Sequence, residues 1–318
     1  MSHAARPGAE NPVSAAVPDI ESLKRRLDAV DYLADDGLAT ALFLSLRLPQ
    51  PLLLEGEAGV GKTEAAKALA AALGTELIRL QCYEGIDSSE ALYEWNYPRQ
   101  LLRIRSSEAS GAEFAEEELF GTEFLTARPL LRAIEHPGPL PAVLLVDELD
   151  RADDDFEAFL FEMLAESSVT IPEIGTIRAT HPPAVVLTSN RTRDLHDALK
   201  RRCLYHWIDY PSPEREVEIV RRRVPGTAEE LATEAAEAVR RLRSSDVQKP
   251  PGIAETIDWS NALVALNAFS LAPDNVRDTL GVLLKHRDDI AKMQSGDVTK
   301  LLAELQATAR GAAPADAR

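Results

Sequence analysis

The chain has 318 residues, of which 45% are hydrophobic and 27% charged, with a formal net charge of −17 and two cysteines. That length buries one large domain plus a smaller one, and the acidic balance works against binding a polyanion, where Lys and Arg must replace condensed counterions. Cys82 and Cys203 stand in no CxxC or Cys/His metal spacing, so no disulfide framework is implied and a reducing cytoplasm suits the chain.

Residues 1–18 are rich in Ala, Pro, Gly and Ser and lack the apolar core of a signal peptide, so they are expected to be a disordered tail. The longest apolar runs, Ala39–Leu46 and Pro141–Val146, fall far short of the ~20 residues a membrane-spanning helix needs. Asp19–Val30 and Asp35–Leu46 have helical periodicity, and Pro49 and Pro51 stop the second before a short apolar strand at Leu52–Leu54. There the sequence reads Gly56-Glu57-Ala58-Gly59-Val60-Gly61-Lys62-Thr63, then an alanine-rich helix to Leu73 with Gly74 as its C-cap. A strand entering, glycines in the turn and a helix leaving make a phosphate-binding loop. Backbone N–H groups of residues 56–61 would face the phosphates, Lys62 would reach the β- and γ-phosphates, and the Thr63 hydroxyl would ligate Mg²⁺.

Glu76–Gln81 alternates like a strand. Gln81–Arg105 is a polar-aromatic connection in which Tyr83, Tyr93, Trp95 and Tyr97 accompany Arg99 and Arg103, a composition that suits either a protein interface or local packing. Ala142–Val146 is a continuous apolar run, as in a parallel strand covered on both faces, and it ends in Asp147-Glu148. Two carboxylates at the carboxyl edge of a sheet point to Asp147 in the Mg²⁺ shell and Glu148 orienting a water for attack on the γ-phosphate. Ser168–Thr180 alternates around Gly175 as a β-hairpin. Ala184–Thr188 is a further buried strand, with Asn190 at its tip able to bond the attacking water or the γ-phosphate. Lys200, Arg201 and Arg202 end a short helix before a strand at Leu204–Ile208. They are either helix-terminal cations or the source of an arginine finger for a neighbouring subunit.

Strands separated by helices predict an α/β fold with a five-stranded parallel sheet. After Pro211-Ser212-Pro213 the strand signal stops, and Glu214–Val224, Ala228–Leu242, Ala254–Phe269 and Asn275–His286 read as helices. The expected organisation is a tail at 1–18, a nucleotide-binding core at 19–211, a helical lid at 212–290, and a helix and disordered tail at 291–318. Cys82 reads as a small buried hydrophobe, and the six histidines show no paired ligand spacing.

The order GEAGVGKT, LLVDELDRA, LTSN and LKRRC before a helical segment resembles the AAA+ ATPases, and its details are similar to the MoxR branch. The stretches Gln81–Arg105 and Leu125–Ile134 more specifically resemble MoxR-type ATPases encoded with molybdenum-containing carbon monoxide dehydrogenases. The resemblance covers residues 20–290. It implies Mg²⁺-dependent ATP hydrolysis in a hexameric ring, with ATP between the core and lid of one subunit and a neighbour's arginine completing the site. It further implies a chaperone for a client metalloenzyme, beside a partner with a von Willebrand A domain. By position Arg202 stands where the family has its finger, although Cys203 replaces the family's aromatic, and Arg201 is its rival. The family's lid arginine is replaced by Glu255; either another basic residue, such as Arg277, takes over its role or the ring senses its nucleotide without one. Two other readings stay open: a P-loop small-molecule kinase, and a DNA-directed AAA+ motor, which the net charge opposes.

Overall fold

The computed structural model describes residues 12–48, 50–110, 116–294, 298 and 303. Five parallel strands, β1 (Leu52–Glu55), β2 (Leu77–Gln81), β3 (Val143–Asp147), β4 (Ala184–Ser189) and β5 (Leu204–Trp207), form one sheet in the order β2-β3-β4-β1-β5. Every residue of β1, β3 and β4 is buried, which is why these strands read as unbroken apolar runs rather than alternations. The edge strand β2 alternates instead, with Ile78 and Leu80 inside and Arg79 exposed. The register pairs Gln81 with Asp147, Val146 with Leu187 and Glu55 with Ser189, so the carboxyl ends of four strands lie side by side. Helix α1 (Lys62–Leu73) follows β1 and buries Ala65, Ala66 and Leu69, and α2 (Asp154–Glu166) follows β3.

Among the described residues the chain divides into two compact units, one built from residues up to Gly56 and from Lys62–Trp207, the other from Glu57–Gly61 and from Ile208 onward. The second unit is helical: α3 (Pro213–Arg223), α4 (Glu229–Arg243), α5 (Ile253–Ala265), α6 (Pro273–Leu283) and a short α7 (Arg287–Lys292). Leu231, Ala235, Val239 and Leu242 give α4 one apolar face, packed with Leu263 and Leu280 around the fully buried Trp259, whose Nε1 donates to Thr279 Oγ1 at 2.7 Å.

One local expectation needs correction. Residues 12–18, assigned to a disordered tail, include a helical turn at Pro12–Ala16, because Val13 and Val17 stand four apart and are both buried, and Arg47 donates to the Val17 carbonyl. Residues 1–11 and most of 295–318, where the remaining tail segments were expected, lie outside the described residues. Within the Gln81–Arg105 connection, Tyr93–Trp95 pairs antiparallel with Leu125–Ala127, and Trp95 packs edge-on against Phe120 at 5.3 Å. Trp95 thus belongs to local packing, whereas Tyr83 and Tyr97 stay exposed. The hairpin read around Gly175 is present as Ser168–Ile171 against Gly175–Arg178. Among the described residues no helix is long and apolar enough to cross a membrane.

Candidate functional site

β1 ends at the sheet's carboxyl edge, and the chain turns through residues 56–61 into α1. Gly59 and Gly61 adopt φ of 78° and 100°, a region that side-chain-bearing residues avoid, so the turn depends on glycine there. Lys62 is buried, and its Nζ donates to the Gly56 carbonyl at 2.7 Å, bringing its charge back along the loop. The N-terminus of the twelve-residue α1 directs the positive end of its dipole to the same place.

The acidic strand is tied to this helix directly. Thr63 Oγ1 donates to Asp147 Oδ1 at 2.9 Å, and Thr188 Oγ1 from β4 donates to the same oxygen at 2.6 Å. The other oxygen, Oδ2, accepts from Arg79 Nε at 3.0 Å and from its Nη2 at 2.6 Å. Glu148 follows in a left-handed conformation, φ 54°, which turns the chain sharply at the strand end. Its N–H donates to Thr188 Oγ1, and its Oε2 meets Gln81 Nε2 at 3.2 Å and Arg151 Nε at 3.0 Å. Gln81 in turn accepts from Arg79 Nη2, so one chain of polar contacts runs from Asp147 through Arg79 and Gln81 to Glu148.

Asn190 lies just past β4, and its backbone N–H is held by Asp150 Oδ1 at 3.2 Å. Burial raises the Asp150 carboxyl, but hydrogen bonds from the Thr192 side chain, the Thr192 backbone and the Asn190 backbone outweigh it and hold the group below its ordinary range. An ionised Asp150 therefore fixes the turn that carries Asn190. The donors offered by Thr63 and Asp147 are all oxygen, the set that suits Mg²⁺ shared with phosphates. Burial, helped by nearby carboxylates, pushes the Cys82 thiol up to about 12, consistent with an inert core residue.

The structure thus brings together the phosphate loop's ends at Gly56, Lys62 and Thr63 with Asp147, Glu148 and Asn190. Arg201 and Arg202 are not part of that cluster. They precede the amino end of β5, and Leu204 pairs with Leu52 at the start of β1, a strand length from where the loop departs. Arg202 is exposed, with its guanidinium 3.9 Å over the Phe161 ring. Sequence reasoning passed over Arg79, Gln81 and Thr188. The signal for the first two was their i, i+2 spacing in an alternating strand, which puts both on one face.

In the second unit, loop residue Gly59 lies against the start of α5: its carbonyl accepts the N–H groups of Ile253 at 3.0 Å and Ala254 at 3.3 Å. Glu255 accepts the Gly252 N–H at 2.9 Å and so caps α5. Arg277 pairs with Asp274 on its own helix. The buried Glu216 takes two bonds from Arg243, at 2.7 and 2.8 Å, and one from Thr256, while Arg243 Nε donates to the Pro251 carbonyl.

Residues 51–203 match the AAA domain of the dynein-related subfamily. Chaperone MoxR1 of Mycobacterium tuberculosis (strain ATCC 25618 / H37Rv) is 27% identical over 232 residues, covering 69% of this chain and 54% of MoxR1. Protein NorQ of Paracoccus denitrificans (strain Pd 1222) is 26% identical over 203 residues, 62% of this chain and 66% of NorQ. The chain therefore spans about half the length of the first relative and just under two thirds of the second. The Thermotoga maritima RuvB Holliday junction branch migration motor aligns with a TM-score of 0.44 at 18% identity, over 82% of this chain and 68% of that one. With the loop, the acidic strand and the sheet order in place, residues 51–203 carry an AAA+ P-loop domain, and the chain's sequence is similar to MoxR-type ATPases.

Proposed function

We propose that the chain hydrolyses ATP with Mg²⁺ and uses the reaction to remodel a client enzyme, as a MoxR-type chaperone. The observation that carries this reading is the bond from Thr63 Oγ1 to Asp147 Oδ1, which ties the helix leaving the phosphate loop to the acidic strand. In this reading residues 56–63 bind the phosphates, with Lys62 on the β- and γ-phosphates, and Thr63 and Asp147 hold Mg²⁺, whose charge offsets that of the phosphates. Glu148 positions and polarises the attacking water, and Asn190 bonds that water or the γ-phosphate. ATP and water then give ADP and inorganic phosphate, with the water proton passing toward the Glu148 carboxylate.

Residues 19–211 act as the core and 212–290 as the lid, in a cytoplasmic ring of subunits, by family six. Arg202, or Arg201 in its place, completes a neighbour's site; their position at the far end of the sheet from their own loop favours a role in trans. The client proposed from the sequence resemblance is a molybdenum-containing carbon monoxide dehydrogenase during cofactor insertion, with a von Willebrand A domain protein as partner.

The test is phosphate release from Mg²⁺–ATP per subunit across a wide range of protein concentration, with sizing at each point. A rate that climbs as larger species form supports sites completed between subunits. A constant rate from a monomer would refute the ring. For the client, a strain lacking the gene should assemble the dehydrogenase with an incomplete metal centre, and fully active enzyme from that strain would refute the assignment.

A further inference from the structure

Asp147 is 2% exposed, so its carboxylate carries a buried charge that needs compensation whether or not a nucleotide is present. Two neutral hydroxyls serve Oδ1. Oδ2 is served by the Arg79 guanidinium alone among the contacts described above, through both Nε and Nη2. We propose that Arg79 is the resident counter-ion of the Mg²⁺ site: it compensates Asp147 while the site lacks the ion and competes with Mg²⁺ for that carboxylate. The inference rests on the reading of Asp147 as part of the Mg²⁺ shell.

Three features favour competition over assistance. A guanidinium and a divalent cation beside one carboxylate repel each other, and the repulsion is least screened where the shared group is buried. Arg79 is free to yield, because its side chain is 48% exposed on the edge strand and its long stem can carry the weakly hydrated guanidinium into solvent. Its two-pronged grip on Oδ2 also has to loosen before that oxygen can turn toward another cation.

The experiment measures binding of fluorescent ADP to the full chain at graded free Mg²⁺, and reads the Mg²⁺ concentration that gives half of the metal-driven gain in affinity. Arg79→Ala and Arg79→Gln, the second keeping most of the stem, should lower that midpoint by about three- to tenfold, the coupling of a close but half-solvated charge pair. Arg79→Lys keeps the charge without the fork and should fall between them and the wild type. A structural role alone would not move the midpoint downward. An unchanged or raised midpoint in both neutral variants would overturn the proposal. If Asp147→Asn abolishes the Mg²⁺ response while the Arg79 variants leave the midpoint untouched, only the counter-ion falls. A wild type with no Mg²⁺ response would overturn the reading of Asp147 as well.

Discussion

Gly252→Ala isolates the contact between the phosphate loop and the helix that supports it. Gly252 has φ −83°, which alanine adopts without strain, so the backbone itself accepts the change. Space does not. A Cβ at Gly252 would stand 2.7 Å from Gly59 Cα, 2.8 Å from the Ala58 carbonyl oxygen and 2.9 Å from the Gly59 carbonyl carbon. All three are backbone atoms, so no side chain can rotate away. With carbon–carbon contacts optimal near 3.5–4.0 Å, the loop or the helix must retreat by roughly 0.8 Å or more. Overpacking of this kind costs about 1–3 kcal/mol. Where that cost falls on the loop's ligand-binding conformation, ADP affinity should drop about fivefold to a hundredfold. Gly226→Ala is the matched control: φ is +88° and nothing lies within 4 Å of the new Cβ, so strain of about 1–2 kcal/mol arises away from the loop. Thermal unfolding and fluorescent ADP titration of both variants separate the effects. Gly226→Ala should lose stability and keep affinity, whereas Gly252→Ala should lose affinity. Equal ADP affinities in the two variants would refute the reasoning.

Arg202→Ala should retain ADP binding and lose phosphate release, and mixing it with Glu148→Gln subunits should restore part of the rate through the hybrid interfaces. Mixtures no faster than the two alone would count against a finger in trans. Burial pushes both thiols, Cys82 and Cys203, up to about 12 from an ordinary value of 9.0, so at pH 8 the native thiolate fraction is about one in ten thousand. A thiol reagent at pH 8 should therefore titrate both only after denaturation, and fast native labelling would contradict this. Because these folded values are raised, their contribution to stability is complete below pH 9.0 and is lost as pH rises toward 12, which denaturant midpoints at pH 8 and 10 should show. Glu216→Ala leaves Arg243 buried without its carboxylate and should destabilise the helical unit by about 3–5 kcal/mol, read by calorimetry; a loss below 1 kcal/mol would mean that Arg243 finds solvent.

What was legible in the sequence follows the range of the interaction that specifies it. The phosphate loop is local: glycines, lysine and threonine are consecutive, and the flanking strand and helix declare themselves by composition. Asp147, Glu148 and Asn190 were legible as polar residues ending apolar strands. Their partners were not, because strand order is a long-range property. Nothing in Leu77–Gln81 says that β2 pairs with β3, and only that pairing sets Gln81 opposite Asp147 and brings Arg79 onto its carboxylate. Thr188 was likewise read as part of an apolar strand, although its hydroxyl bonds both Asp147 and the Glu148 N–H. The turn at 12–16 was missed for a different reason: composition speaks for disorder, while two valines four apart find a buried face only in the folded chain.

Glu255 shows how a departure from a family pattern acquires a physical account. As a replacement for a cation expected near phosphate, a carboxylate is of the wrong sign. In the structure it has another task, accepting the Gly252 N–H at the start of α5, where a negative charge also suits the helix dipole. Its Oε2 is also the nearest atom that a Cβ on Gly59 would meet, at 2.8 Å. The link from α5 to the loop is consequently made by backbone: the Ile253 and Ala254 N–H groups on the Gly59 carbonyl, with Glu255 fixing the turn that presents them. Gly56 and Lys62 join residues 57–61 covalently to β1 and α1. A shift of the loop that strains those two N–H bonds therefore acts on α5 through short, directional contacts, and does so whether or not any side chain of the helical unit reaches a phosphate.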